Sequence, residues 1–352
     1  MRVLVTGHKG YLGAAVTDEL LSKGHEVTGL DTNLFETCVY AYAEPAKGNP
    51  SITEMAMDVR DVRAEHVSGQ DAVIHLAGLS NDPLGEFDPK LTYEINHETS
   101  VRLAQLCQQN GVNRLVLAST CSVYGASDGT FLDEGSGYAP VTAYAWSKLK
   151  MEQDIAALAD HSFSPVFMRS GTVYGLSPRM RFDLVVNNLM AWTVNTGEIF
   201  LKSDGLAWRP IIHLRDVARA FVTMLEIDRQ DMHLQAFNVV ADTENYQIRD
   251  IAAKIQAQIP NSNIVFETSA SSDNRNYKVS GKKLETVMGP NWTRYALEDG
   301  IAELHAALTA TKVVPEEFEG SRFQRLAHLK SRILAGELTP ALRHVHPAGK
   351  SV

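Results

Sequence analysis

The stretch Val5-Thr6-Gly7-His8-Lys9-Gly10-Tyr11-Leu12-Gly13, "VTGHKGYLG", decides the reading of this chain. It closes the apolar run that begins at Arg2 and opens a segment, 11–23, with helix-like spacing of apolar residues. Gly7, Gly10 and Gly13 therefore stand where a strand turns into a helix. That turn needs residues without a Cβ, so that backbone can approach a pyrophosphate. Around Tyr11 and Leu12 the free N–H groups and positive helix end would face the anion.

Outward from this turn, "HEVTGL" (25–30), "DAVIHLAG" (71–78), "NRLVLAS" (113–119) and "SPVFMRS" (164–170) read as buried strands. Helix-like stretches near 11–23, 89–110 and 143–160 lie between them. Strand alternating with helix implies right-handed βαβ units, hence an α/β fold with a doubly wound, Rossmann-type parallel sheet. Such sheets bind ligands beyond the carboxyl ends of their strands. After residue 175 the rhythm loosens. A helix is expected over 183–196, a strand leading into a helix in "AWRPIIHLRDVARAFVTML", and a further sheet strand in "FNVVAD" (237–242). The expected division is a nucleotide-binding domain over 1–175 with sheet returns near 208–242. Residues 176–207 and 243–352 then make a smaller C-terminal substrate-binding lobe. Its helical tail, from about 313, packs on the body or on a partner subunit.

The 352 residues are 44% hydrophobic and 21% charged, an ordinary globular composition, with no internal repeat. A net charge of −9 argues against broad nucleic-acid binding. Cys38, Cys107 and Cys121 form neither a disulfide framework nor metal-type spacing, and no metal site is expected. No run approaches the ~18 apolar residues of a membrane span, and the chain starts on a strand-like segment without a leader. A cytoplasmic protein is the expectation.

The second strand ends at Asp31, 18 residues beyond Gly13, where a carboxylate can accept hydrogen bonds from both adenosine ribose hydroxyls. A 2′-phosphate would meet like charge there, so NAD is favoured over NADP; Asn33 lies beside it. Asp58-Val59 is placed to hold the adenine, and Leu76-Ala77-Gly78 lets the backbone run close to the cofactor.

A second constellation sits in "ASTCSVYG" (118–125) and "AYAWSKLK" (143–150). Tyr144 and Lys148, four apart, share a helix face. For the Tyr144 phenol to act as a base near neutrality its pKa must fall by about 3 units, or ~4 kcal/mol. An ammonium one turn away and an oxidised nicotinamide would supply that fall. Thr120 would hydrogen-bond the reacting oxygen, with Ser119 beside the cofactor.

With these motifs in order, the chain resembles the extended short-chain dehydrogenase/reductases, specifically the NAD-dependent epimerase/dehydratase family of nucleotide-sugar enzymes, from residue 1 to about 310. The resemblance implies Thr120, Tyr144 and Lys148 as catalytic residues. It also implies Gly7, Gly10, Gly13, Asp31, Asp58 and Asn96, in "EINHETS", around NAD. "RSGTVYG" (169–175) is similar to the family's Arg-x-x-Asn-x-Tyr-Gly segment but carries Thr172 at the Asn position. Asn188, Arg209 and Arg275 fall where relatives hold the nucleotide diphosphate, a task that suits the arginine fork. Ser80 and Asn81 are further candidate sugar contacts. Family analogy also implies a homodimer built on helices near 89–110 and 143–160.

Family dehydratases place Asp-Glu immediately after the catalytic Thr. Here the slots hold Cys121 and Ser122, candidate substrate contacts but neither a good acid near neutrality. Cys121 is expected mainly to pack. The expectation is therefore NAD-dependent epimerisation of a nucleotide-diphosphate sugar at C4 through a transient 4-keto sugar. The alternative is an NAD(P)(H)-dependent keto-sugar reductase or dehydrogenase, ahead of a dehydratase or a non-catalytic NAD-binding protein.

Overall fold

Short aliphatic runs flanked by Gly and polar residues favour strands buried on both faces, because helices packed on each side leave neither face in water. The computed structural model describes residues 1–40, 52–127, 129–271 and 276–345, and in it seven strands form one parallel sheet. Their order is Gln235–Val239, Ser164–Ser170, Arg114–Thr120, Ala72–His75, Arg2–Thr6, Glu26–Asp31 and Ile52–Ala56. Successive side chains go to opposite faces. Val3, Val5, Ile74, Val116 and Val166 enter one core, while Leu4, Val73, Leu115, Leu117 and Phe167 enter the other. Strand order reverses between Arg2–Thr6 and Ala72–His75, which opens a crevice at their carboxyl ends.

The helix Tyr11–Ser22 starts at Gly10, and Ala143–Ala156 starts at Thr142, whose hydroxyl accepts from the Ala145 N–H at 3.2 Å. Residues 89–110, expected as one helix, are Pro89–Tyr93, a π-helical turn over Glu94–Glu98, and Thr99–Gln109. Asn96 sits in that turn. The expected sheet return near 208 is corrected. Trp208–His213 pairs with Thr172–Tyr174 and Asn245–Gln247 in a separate three-stranded sheet, and Gln235–Val239 is the strand that extends the large one. Apolar runs cannot tell one sheet from another; pairing partners decide it.

A second core joins the helix Val185–Thr196, the strand Glu198–Ser203 and the helices Ile248–Gln258 and Leu297–Ala310 around Met190, Ile199, Ile255 and Leu304. The tail lies on the body as the short helix Pro315–Phe318, the helix Arg325–Leu334 and a closing loop to Val345. Phe318 and Phe323 complete the second core. Among the described residues no helix is long and apolar enough to cross a membrane, and no His/Cys/Asp/Glu group is arranged to hold a metal.

Candidate active site

A cleft of about 1250 Å³ runs along the carboxyl ends of the strands. One end is the glycine turn. Gly7 has φ +77, and a Cβ there would come within 2.7 Å of the Ala77 nitrogen. At Gly13 it would meet the Gly7 carbonyl oxygen at 2.0 Å. Strand and helix thus touch backbone to backbone, and Gly10 leaves the helix N-terminus without a side-chain cap. This cradle fits a dinucleotide pyrophosphate: a Cβ at Gly7 or Gly13 would run into backbone, and the uncapped N–H groups that open the helix at Tyr11 and Leu12 are the ones an anion would take. Tyr11 and Leu12 line the same wall, although the Tyr11 hydroxyl is spent on the Gly175 carbonyl at 2.8 Å.

Asp31 faces the turn. Its carboxylate accepts from the Lys9 N–H at 3.0 Å and from the Asn33 N–H at 2.7 Å, so it caps the following turn and also lines the cleft. Lys9 is tied to Glu54 at 2.9 Å. Asp58 and Val59 line the same end, but Asp58 is committed to Arg60, whose Nη2 lies 2.7 Å from Oδ2 and whose Nε lies 3.0 Å from Oδ1. That pairing outweighs desolvation and holds the Asp58 carboxyl below its ordinary range. Leu76, Ala77 and Gly78 form the floor.

Asn96 is a correction. It lies behind the wall rather than on it, accepting from the Leu79 N–H at 2.8 Å and donating to the Leu79 carbonyl at 2.9 Å and Ser147 Oγ at 3.2 Å. It braces the loop that the cofactor would touch. The resemblance implies Asn96 around NAD, but the π turn at 94–98 points its side chain at the loop's backbone.

Thr120, at the end of its strand, and Tyr144 and Lys148, one turn apart on their helix, converge on the same cleft. Thr120 Oγ1 accepts from the Ser122 N–H at 3.1 Å and lies near the Tyr144 phenol, and the Lys148 ammonium donates to the Ala118 carbonyl at 2.8 Å. Burial decides both titrations. It pushes the Tyr144 phenol up to about 12, against the opposing influence of the nearby Thr120 hydroxyl, and the Lys148 ammonium down to about 8. Desolvation of the phenolate dominates here, so the expected fall needs the nicotinamide's charge as well as the Lys148 ammonium.

Glu152 extends this helix face by one more turn. It receives Ser119 Oγ at 2.5 Å and a fork from Arg169, with Nε at 3.0 Å from Oε1 and Nη2 at 2.5 Å from Oε2. The Ser119 bond ties the strand end carrying Thr120 to the helix carrying Tyr144, and the Arg169 fork ties the neighbouring strand Ser164–Ser170 to the same helix. Cys121 does not line the cleft; it is 1% exposed, its thiol donates to the Arg169 carbonyl at 3.1 Å, and burial raises its pKa. It packs, and its candidacy as a substrate contact is withdrawn. Ser122 does reach the cleft.

At the far end Ser80, Asn81, Thr172, Asn188 and Arg209 line the wall. Asn188 donates to the Phe182 carbonyl at 2.8 Å and to Glu319 at 3.0 Å. Arg209 donates to the Trp208 carbonyl at 2.8 Å and lies over the Tyr277 ring. Arg275 lies outside the described residues. Several cleft residues escaped the sequence reading. Arg181 forks onto Asp183 at 2.6 and 3.1 Å and reaches Ser80 Oγ at 3.2 Å, while Asn81 donates to Asp183 at 2.6 Å. Their one signal was the break in rhythm at "GLSPRMRFD". Arg60, Lys202, Gln324, Arg325 and Leu342 also line the cleft and carried no local signal.

The model of a family described as "NAD dependent epimerase/dehydratase family" matches residues 3–239. A UDP-glucose 4-epimerase of Bacillus subtilis (strain 168) is 28% identical over 265 residues, spanning 69% of this chain and 78% of that one. A probable UDP-glucuronate 4-epimerase of Rhizobium meliloti (strain 1021) is 26% identical over 257 residues, spanning 69% and 73%. Among solved structures, MoeE5 in complex with UDP-glucuronic acid and NAD superposes with a TM-score of 0.76 at 24% identity, covering 88% of this chain and 99% of that one. A likeness at that identity establishes the fold alone.

Proposed function

The chain belongs to the NAD dependent epimerase/dehydratase family, and from that premise we propose that it inverts C4 of a nucleotide-diphosphate hexose or hexuronate with resident NAD. One observation carries the reading. Thr120, Tyr144 and Lys148 share a cleft with the glycine turn, while the two residues after Thr120 give that cleft no acid. Elimination of water needs an acid beside the leaving oxygen. Asp183 is no substitute, because Arg181 holds its carboxyl below the ordinary range and therefore ionised.

Residues of the glycine turn, Asp31, Asp58 and the 76–78 loop would hold the dinucleotide. Bound NAD supplies the hydride acceptor and donor and a positive ring beside the phenol. Tyr144 takes the proton of the sugar hydroxyl and later returns it, with Thr120 hydrogen-bonded to the same oxygen. Moving a phenol from about 12 to pH 8 takes about 4 units, on the order of 5 kcal/mol. Lys148, buried and charged below pH 8, supports the phenolate. The 4-keto sugar then turns over in the cleft, and return of the hydride to its other face gives the epimer. Arg209, Asn188 and Lys202 serve the nucleotide diphosphate. The same reading makes the protein a cytoplasmic homodimer pairing the helices near 89–110 and 143–156; Trp146, 44% exposed on the second, fits such a face.

NAD-loaded protein supplied with UDP-glucose, UDP-glucuronate and their dTDP, CDP and GDP counterparts, followed by NMR, tests the reading. A C4 epimer appears without added cofactor if it holds. A 4-keto-6-deoxy product, or turnover that consumes added NADH stoichiometrically, overturns it in favour of a dehydratase or a reductase.

A further inference from the structure

The tail beyond residue 313 was expected only to pack, yet it reaches the adenosine end of the cleft. Leu342 is 1% exposed and lines the cleft with Leu34, Phe35, Asp58, Val59 and Arg60. It is held at φ +56, a conformation a leucine adopts only when its surroundings impose it. What imposes it is a tight loop. The Leu342 N–H donates to the Thr339 carbonyl at 2.9 Å, the Thr339 N–H to the Arg343 carbonyl at 2.8 Å, and the Val345 N–H to the Glu337 carbonyl at 2.9 Å.

The loop is tied on both sides of the crevice. Arg60, itself bound to Asp58, donates to the Ala341 carbonyl at 2.9 Å. Arg343 pairs with Asp61 and lies 3.6 Å from Asp58. Across the opening His344 meets the Thr32 carbonyl, next to Asp31, at 2.7 Å, and Arg332 donates to the Leu34 carbonyl at 2.7 Å. Beneath, Leu338 and Leu342 join a small cluster with Leu79, Leu84 and Ile95. The two walls bridged, at 31–34 and 58–61, are those that carry the ribose and adenine carboxylates.

We propose that residues 337–344 form a strap across the adenosine mouth, so that the dinucleotide leaves only when the strap is released. The inference rests on the NAD reading of the cleft. A closed mouth suits a cofactor reduced and reoxidised within one turnover, since exchange would strand a keto sugar. Leu342 supplies the apolar face against the adenosine end, and the Arg343 and His344 ties hold the loop shut.

The test is exchange of bound NAD for isotopically labelled NAD in the full-length protein, with the wild type beside Leu342→Gly and the double variant Arg343→Ala/His344→Ala. Leu342→Gly removes the side chain while keeping the backbone geometry; the double variant cuts exposed ties and leaves the buried cluster intact. Release is expected to accelerate at least ~tenfold in both, the loss of roughly 1.4 kcal/mol of closure. Unchanged exchange in variants that still bind NAD refutes the strap and leaves the NAD reading standing. Failure of the wild type to bind NAD removes both. If Leu342→Gly does not fold, the double variant decides alone.

Discussion

Gly13→Ala sets two physical effects against each other at one atom. Gly13 lies inside the helix Tyr11–Ser22, where alanine is favoured over glycine by ~1 kcal/mol. Helix propensity alone therefore predicts a more stable protein. In the folded chain, however, the new Cβ would sit 2.0 Å from the Gly7 carbonyl oxygen and 2.8 Å from both the His8 Cα and carbonyl carbon, where real Cβ contacts essentially never fall below 3.0 Å. The obstacles are backbone, so no side chain can rotate away, and the helix start must retreat by about 1 Å. Overpacking of this kind costs ~1–3 kcal/mol or more, which exceeds the propensity gain. The retreat also pulls the helix N–H groups from the anion, so NAD affinity should fall at least ~tenfold. Gly24→Ala is the control: φ is +76 but nothing lies within 4 Å, so it should cost ~1–2 kcal/mol of backbone strain and leave NAD affinity unchanged. Denaturant unfolding and calorimetric NAD titration of both variants read these quantities. A Gly13→Ala protein that is more stable than wild type, or binds NAD normally, refutes the turn-to-helix contact.

Tyr144→Phe should lose turnover by at least ~100-fold while NAD binding is kept; retained activity would mean that another group takes the sugar proton. His75, buried between Thr6 Oγ1 at 2.6 Å and Ser100 Oγ at 2.8 Å, has its pKa pushed down to about 3 by burial. Between pH 6.5 and about 3 the unfolded chain therefore binds a proton that the native one refuses, so stability falls with acid across that window, by roughly 5 kcal/mol at most. His75→Gln should flatten that part of a stability–pH curve, and an unchanged curve contradicts the assignment. Glu152→Ala leaves the buried Arg169 charge with only the Tyr124 and Tyr138 hydroxyls, and should destabilise the protein by roughly 3 kcal/mol in chemical denaturation; a loss under ~1 kcal/mol would contradict a desolvated ion pair. Cys121→Ser should lose stability without changing solvent-proton exchange at C3 or C5 of the sugar, because the thiol faces the Arg169 carbonyl and not the cleft.

The large sheet was legible because period and punctuation are local. Alternation of Val and Leu across Arg2–Thr6 and Arg114–Thr120 sends side chains to two cores, and the glycine turn announces where strand becomes helix. Tyr144 and Lys148 were equally legible, since four residues on a helix fix a shared face. Cys121 packs as its position suggests, whereas Asn96 misled because proximity along the chain does not say which way a side chain points. The π turn aims Asn96 at the backbone of Leu79, and Cys121, first residue of a 3-10 turn after the strand, turns its thiol onto the Arg169 carbonyl.

The sequence by itself therefore determined the sheet, the cradle for the pyrophosphate and the pair on the catalytic helix, all products of spacings within a few residues. Tertiary structure decided what crosses long gaps: the Arg181–Asp183 fork facing Ser80 and Asn81, the Arg169–Glu152 tie beneath Thr120, and the reach of Leu342 back to Asp58 and Arg60. Burial decided the titrations as well, raising the Tyr144 phenol and lowering the Lys148 ammonium. Contacts between distant segments, and the desolvation they impose, depend on how elements pack, and no local pattern of residues encodes that.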